Sequence, residues 1–71
     1  MSKAIRMLVN GQVAEPTSNR LRDLLSTLDI ELTTKGVAIA KNGELILRQD
    51  WEKTILVDGD DIEVVHATQG G

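Results

Sequence analysis

The stretch Ile5-Arg6-Met7-Leu8-Val9-Asn10-Gly11-Gln12-Val13-Ala14-Glu15-Pro16 decides the architecture of this chain. Ile5, Met7 and Val9 alternate with Arg6 and Leu8, the period of a strand with one buried face, and Asn10-Gly11 follows at once as a tight-turn signal. Gln12 to Glu15 reads as the returning strand. Pro16, which has no N–H to give a ladder, stops that strand from continuing as a central one. The first unit is therefore a hairpin with one apolar face, and such a face needs a second layer to cover it.

The next segment supplies that layer. Leu21, Leu24, Leu25 and Leu28 fall on one helical face, after three candidate N-caps at Thr17, Ser18 and Asn19. The spacing predicts a helix over about residues 19–28, with Arg20, Arg22, Asp23, Ser26 and Thr27 on its opposite face. Residues 29–36 mix acids, Thr and Lys and end at Gly36, the composition of a surface crossover.

Beyond the helix, Val37 to Lys41 reads as a strand, Asn42-Gly43 repeats the turn signal, and Leu45 to Leu47 is a short apolar run consistent with another strand. Residues 48–57 carry Trp51 and the apolar step Ile55-Leu56-Val57. Asp58-Gly59-Asp60-Asp61 is a turn by composition, and Ile62 to Ala67 is the last strand. The order is strand, strand, helix, strand, short strand, strand. This predicts an α+β fold, the ubiquitin-like β-grasp: a mixed four- to five-stranded sheet with one main helix on one face and the last strand beside the first. The domain is expected over residues 1–67, with 68–71 as a flexible C-terminal tail.

Composition bounds what such a domain can do. At 71 residues the chain makes one small domain, and a domain of about 60 residues hides only ~60% of the surface its unfolded chain exposes. There is little room for a deep, water-excluding active site. With one Trp and no Phe or Tyr, the core must be aliphatic. No cysteine is present, which removes disulfides, Cys-ligated zinc and a thiol nucleophile, and a single His makes no His cluster. A net charge of −3 and the lack of an aromatic stacking platform disfavour nucleic acid as a partner. The apolar runs are too short to span a membrane, and the N-terminus lacks the apolar segment of a signal peptide. A cytoplasmic protein is expected.

The sequence closes on Gly70-Gly71. Glycine adds nothing to a core, so the pair reads either as a frayed end or as a thin tip that can enter a narrow site. What such a tip presents is the α-carboxylate of Gly71, a group that can be activated to an acyl donor or a thiocarboxylate.

Taken together, Val37 to Glu44, Arg48, Trp51, Leu56-Val57-Asp58-Gly59-Asp60-Asp61-Ile62-Glu63-Val64-Val65 and the closing Gly70-Gly71 resemble the ThiS family of sulfur carriers of thiamine thiazole biosynthesis. Asn10 after the first strand, and Leu24, Leu25 and Leu28 in the helix, belong to the same pattern, which spans essentially the whole chain. Lys41, where the family would place an aliphatic residue, and Thr68-Gln69, where it would place a more apolar approach, depart from it.

The resemblance implies a protein co-substrate rather than an enzyme, with no catalytic residue and no metal site of its own. A ThiF-like adenylating enzyme would convert the Gly71 carboxylate to an acyl-adenylate. A cysteine desulfurase or other sulfur donor would then indirectly supply the sulfur of a thiocarboxylate, and a ThiG-like thiazole synthase would consume it. ATP, Mg²⁺ and any Zn²⁺ would belong to those partners, and Gly70 would serve as part of the slender tail. Without cysteine, carried sulfur must sit on Gly71. Carriers for molybdopterin, cysteine synthesis or tRNA thiolation share the fold and tail, and so stand as alternatives. A TGS-like RNA-binding or regulatory module shares the fold without needing the tail, and protein conjugation through Gly71 is a third class.

A carrier must also dock. If Ile5, Met7, Val9, Ile39, Ile62 and Val64 face the helix, the pleat turns Leu8, Ala40, Val65 and Ala67 to the other side, an apolar surface beside the tail. Scattered exposed apolar residues are ordinary, but beside the tail, and by analogy with ubiquitin-like proteins, this face is the expected docking surface. His66 reads as a tolerated strand histidine, and the Asp58, Asp60 and Asp61 group as a turn rather than a metal loop. Trp51 reads as a cap on one edge of the core. Arg48 is open between a local acid and an acidic partner.

Overall fold

The computed structural model describes residues 5–67. Thr68, Gln69, Gly70 and Gly71 lie outside the described residues, so the terminal glycines are known from sequence alone. Strands β1 (Met7–Val9), β2 (Gln12–Ala14), β3 (Val37–Lys41), β4 (Glu44–Ile46) and β5 (Asp61–His66) form one sheet in the order β2-β1-β5-β3-β4. Helix α1 (Leu21–Thr27) crosses one face, and a 3₁₀ helix, Arg48–Lys53, follows β4. β5 runs parallel to β1 and antiparallel to β3, which places the last strand in the centre beside the first. This mixed sheet with its single α-helix is the ubiquitin-like β-grasp fold.

Both Asn-Gly pairs make the predicted two-residue turns. Asn10 and Asn42 each have φ +52°, followed by Gly11 at +81° and Gly43 at +86°, the left-handed pair that matches strand twist. The turns fix the registers Val9↔Gln12 and Lys41↔Glu44. β2 ends one residue before Glu15, and β4 covers Glu44–Ile46 rather than 45–47, because pairing from the tight turn begins at Glu44. Leu47 is already extended, flanking backbone before the 3₁₀ helix.

The helix is shorter than 19–28; a tertiary contact sets its start and a local left-handed turn sets its end. None of Thr17, Ser18 and Asn19 occupies the cap position, which falls at Arg20 with extended backbone. Arg20 bridges to Ile55, the Leu21 N–H donates to the Thr54 carbonyl at 3.1 Å, and the Leu56 N–H donates to the Asn19 carbonyl at 2.7 Å. A passing segment thus accepts from a helix-start N–H that a side chain would otherwise satisfy. Ser18 contributes differently, with its Oγ accepting from the Arg20 N–H and donating to Asp23.

At the other end, Asp29 takes φ +62°. Its N–H donates to the Ser26 carbonyl and the Ile30 N–H to the Leu25 carbonyl, the paired bonds of a Schellman ending. This ending turns Leu28 outward to 41% exposure and drops Ile30 into the core, so the fourth position of the apolar stripe belongs to Ile30. The 29–36 connection is consequently more than a surface crossover, because Leu32 also packs against the core.

Between helix and sheet lie Met7, Leu21, Leu24, Leu25, Ile30, Ile39, Trp51, Leu56, Ile62 and Val64, with Ile5 and Val9 packed at the margin. Trp51 does more than cap an edge. At 1% exposure it is the largest fully buried side chain, and its indole N–H donates to the Ile46 carbonyl at 3.0 Å, so the one polar atom of the ring is satisfied.

Candidate docking face and tail exit

β5 is the strand that leads to the tail, and three neighbouring segments fix its backbone. Beside it, the Leu8 and Asn10 N–H groups donate to the Asp60 and Ile62 carbonyls at 3.0 and 2.8 Å. The Asn10 side chain then prolongs this ladder past the end of β1. Its Oδ1 accepts from the Val64 N–H at 2.7 Å, and its Nδ2 donates to the Val64 carbonyl at 3.2 Å. Asn42 does the same work from the other hairpin, with Oδ1 accepting from the Asp61 N–H at 2.9 Å and Nδ2 donating to Asp60 Oδ1 at 3.0 Å. The two turn asparagines therefore clamp β5 from both sides, a role that turn chemistry alone did not reveal.

The Asp58–Asp61 turn is built around its own carboxylates. Asp60, 4% exposed, accepts from Asn42 Nδ2 on one oxygen and from the Val57 N–H on the other at 2.9 Å. Asp58 accepts from the Arg6 N–H at 2.8 Å, while Gly59, at φ +91°, donates its N–H to the Arg6 carbonyl. Asp58 thus ties the turn to the residue before β1, and Asp60 ties it to the β3–β4 hairpin.

At the far end, the Ala67 N–H donates to the Gly36 carbonyl at 2.6 Å. Gly36 has φ +77°, a conformation an L side chain rarely adopts, although a Cβ there would meet Ala67 at only 3.9 Å. Backbone conformation, rather than crowding, is the reason glycine suits this position. Ala67 is the last described residue, and residues 68–71 follow it in sequence.

The pairing registers define the sheet face turned away from the helix. Leu8 is opposite Val13 and Asp61, Ala40 is opposite Leu45 and Glu63, and Ala38 is opposite Val65. Leu8 and Val65 are exposed at 39% and 59%, Ala40 is half-buried and Ala67 exposed. A shallow depression lined by Gly36, Val37, Ala38, Val65 and Ala67 lies at the tail end of this face. Leu8, Ala40, Val65 and Ala67 are thus brought onto one surface.

That surface is less uniformly apolar than the selection of those four residues implied. Asp61 and Glu63 belong to it, and so do Val13, Ala38 and Leu45. The same alternation that selected Val65 and Ala67 selects positions 61 and 63, so the signal was present along β5.

Arg48 and Lys41 both make contacts within the fold. The Arg48 guanidinium lies 4.0 Å from the centre of the Trp51 ring and donates to the Leu32 and Val37 carbonyls at 2.8 and 3.5 Å. It ties both ends of the 32–37 connection to the core, by cation–π stacking and backbone bonds rather than through an acid. Lys41, the departure from an aliphatic pattern, lies on the helix side of the sheet margin, and its Nζ donates to the Ile55 carbonyl at 3.5 Å. His66 ends β5 opposite Val37 and is exposed. No helix among the described residues is long and apolar enough to cross a membrane.

Comparison with known proteins agrees with this arrangement. No curated protein matches the chain. The crystal structure of the thiamine biosynthesis protein ThiS from Geobacter metallireducens superposes with a TM-score of 0.76 at 28% identity, covering 94% of this chain and all of that one. The ThiS family pattern itself matches residues 5–71, through the β-grasp domain and on to Gly71. On that match over nearly its whole length, the chain belongs to the ThiS family.

Proposed function

We propose that this chain is a sulfur carrier of thiamine biosynthesis, whose reactive group is the α-carboxylate of Gly71. The observation that carries the reading is the family match extending through Gly71, joined to a β5 whose backbone is held from both sides up to Ala67. The domain acts as a handle. The tail is the reagent.

A carboxylate is a poor electrophile, because no good leaving group departs from its acyl carbon. An adenylating enzyme, holding ATP and Mg²⁺, lets a Gly71 carboxylate oxygen attack the α-phosphorus and expel pyrophosphate. A donor delivering hydrosulfide then attacks the acyl carbon, AMP leaves with the bonding pair of its C–O bond, and a thiocarboxylate remains. The sulfur passes to a thiazole synthase, which builds it into the thiazole ring. In this scheme the chain contributes no catalytic group. Its residues position the tail and offer the outer face, through Leu8, Ala40, Val65 and Ala67, to the partner. Gly70 and Gly71 lack a Cβ, so the tip remains narrow enough for a channel leading to the nucleotide.

Deleting Gly70-Gly71 tests the reading. The shortened chain is expected to unfold at the same denaturant concentration as the full chain and to support no pyrophosphate release with the adenylating enzyme. Pyrophosphate release at the full-length rate from the shortened chain would rule out Gly71 as the activated group.

A further inference from the structure

Charge is distributed unequally between the two sides of this domain. α1, the connections around it, the 3₁₀ helix and the inward-facing Lys41 and Glu44 together carry six cations (Arg20, Arg22, Lys35, Lys41, Arg48 and Lys53). The same segments carry six carboxylates, so this side is neutral. Arg6 is matched by Glu15 at 3.4 Å. The negative surplus of the described residues is therefore the four acids of 58–63. Asp58 and Asp60 are bound into the turn, while Asp61 and Glu63 stand on the outer sheet face and make no ion pair among the described residues.

Those two carboxylates divide the face. Asp61 is beside Leu8, which Val13 adjoins, and Glu63 is beside Ala40, which Leu45 adjoins. Ala38, Val65 and Ala67 continue the face toward the tail. Covering this face with an apolar surface alone would strip water from two unpaired charges, which costs more than the apolar contact returns. A partner surface that places arginine or lysine against Asp61 and Glu63, with apolar side chains on either side, removes that penalty.

We propose that the outer face selects its partner by this charge. Resting on the carrier reading above, Asp61 and Glu63 are the specificity-determining residues for docking on the adenylating enzyme, and they meet a basic, apolar-flanked patch there. The neutral helix side gives such a patch no comparable attraction, so the field also turns the correct face, and with it the tail, toward the enzyme during approach. Charge complementarity of this kind acts mainly on association rate and is screened by salt.

The test is stopped-flow association of the full chain with the adenylating enzyme across ionic strength. It compares wild type with Asp61→Asn/Glu63→Gln and with Asp29→Asn/Glu31→Gln, which removes the same two charges from the helix side. The wild-type association rate is expected to fall about tenfold between roughly 0.05 and 0.5 M salt. The Asp61/Glu63 variant should begin near the high-salt value and lose most of that dependence, while the Asp29/Glu31 variant should follow wild type. Equal rates for the Asp61/Glu63 variant and wild type at low salt would overturn the inference. So would an equal loss in the Asp29/Glu31 variant, since net charge rather than its position would then govern. If the carrier reading itself were wrong, wild type would show no association at any salt concentration, a different outcome from either.

Discussion

Replacing Asn10 by glycine separates the turn from the clamp. Glycine adopts the φ of +52° found at this position without strain, so the hairpin keeps its geometry. What is lost is the pair of bonds from the Asn10 side chain to the backbone N–H and carbonyl of Val64, at 2.7 and 3.2 Å. A net intramolecular hydrogen bond contributes about 1 kcal/mol, which gives about 2 kcal/mol for the pair. The added freedom of glycine in the unfolded chain contributes roughly 0.5 kcal/mol more. For a domain of 60–100 residues, where 1 kcal/mol moves Tm by about 4–8 °C, a loss of about 2.5 kcal/mol corresponds to about 10–20 °C. Trp51, the only tryptophan and almost fully buried, reports unfolding without a label. Urea titration followed by its fluorescence should show the midpoint falling with the slope unchanged. A loss under about 0.5 kcal/mol, within the range of ordinary surface substitutions, would refute the clamp and reduce Asn10 to a turn residue.

Two further outcomes follow from the same structure. Val65→Asp places a third carboxylate on the outer face at a 59%-exposed position; stability should change by about 1 kcal/mol or less, while affinity for the adenylating enzyme, measured calorimetrically, should fall at least about tenfold. Trp51→Phe retains a buried ring but loses the indole N–H to the Ile46 carbonyl and weakens the stacking of Arg48. It should cost about 2 kcal/mol in chemical denaturation followed by circular dichroism, and raise the exchange rate of amides in residues 32–37.

Periodicity and turn chemistry are local, and the elements they govern were legible. The alternation at Met7 to Val9, the two Asn-Gly pairs and the Val37–Lys41 run gave the strands, and the Leu21, Leu24 and Leu25 spacing gave the helix. What escaped depends on contacts between distant segments, or on a left-handed backbone that no glycine announces. The helix start is fixed by residues 54–56, so none of the three plausible capping residues takes the cap position. Its end is fixed by a left-handed Asp29 rather than by a glycine, which exchanges Leu28 for Ile30 in the core. Asn10 and Asn42 read as turn residues because the turn uses only their backbone, whereas their amides act across 54 and 19 positions of sequence. On the outer face the four apolar positions were accessible from the pleat, and Asp61 and Glu63 were equally accessible.

The central claim is that sulfur is carried on the carboxylate of Gly71. Intact-protein mass spectrometry of the chain, after incubation with ATP, the adenylating enzyme and a sulfur source, tests it most directly, with fragmentation to locate the change. The account predicts the exchange of one oxygen for one sulfur, confined to the C-terminal fragment ending in Gly71. An unchanged mass under conditions where a ThiS carrier of known activity is converted would contradict it, and so would sulfur found on any other residue.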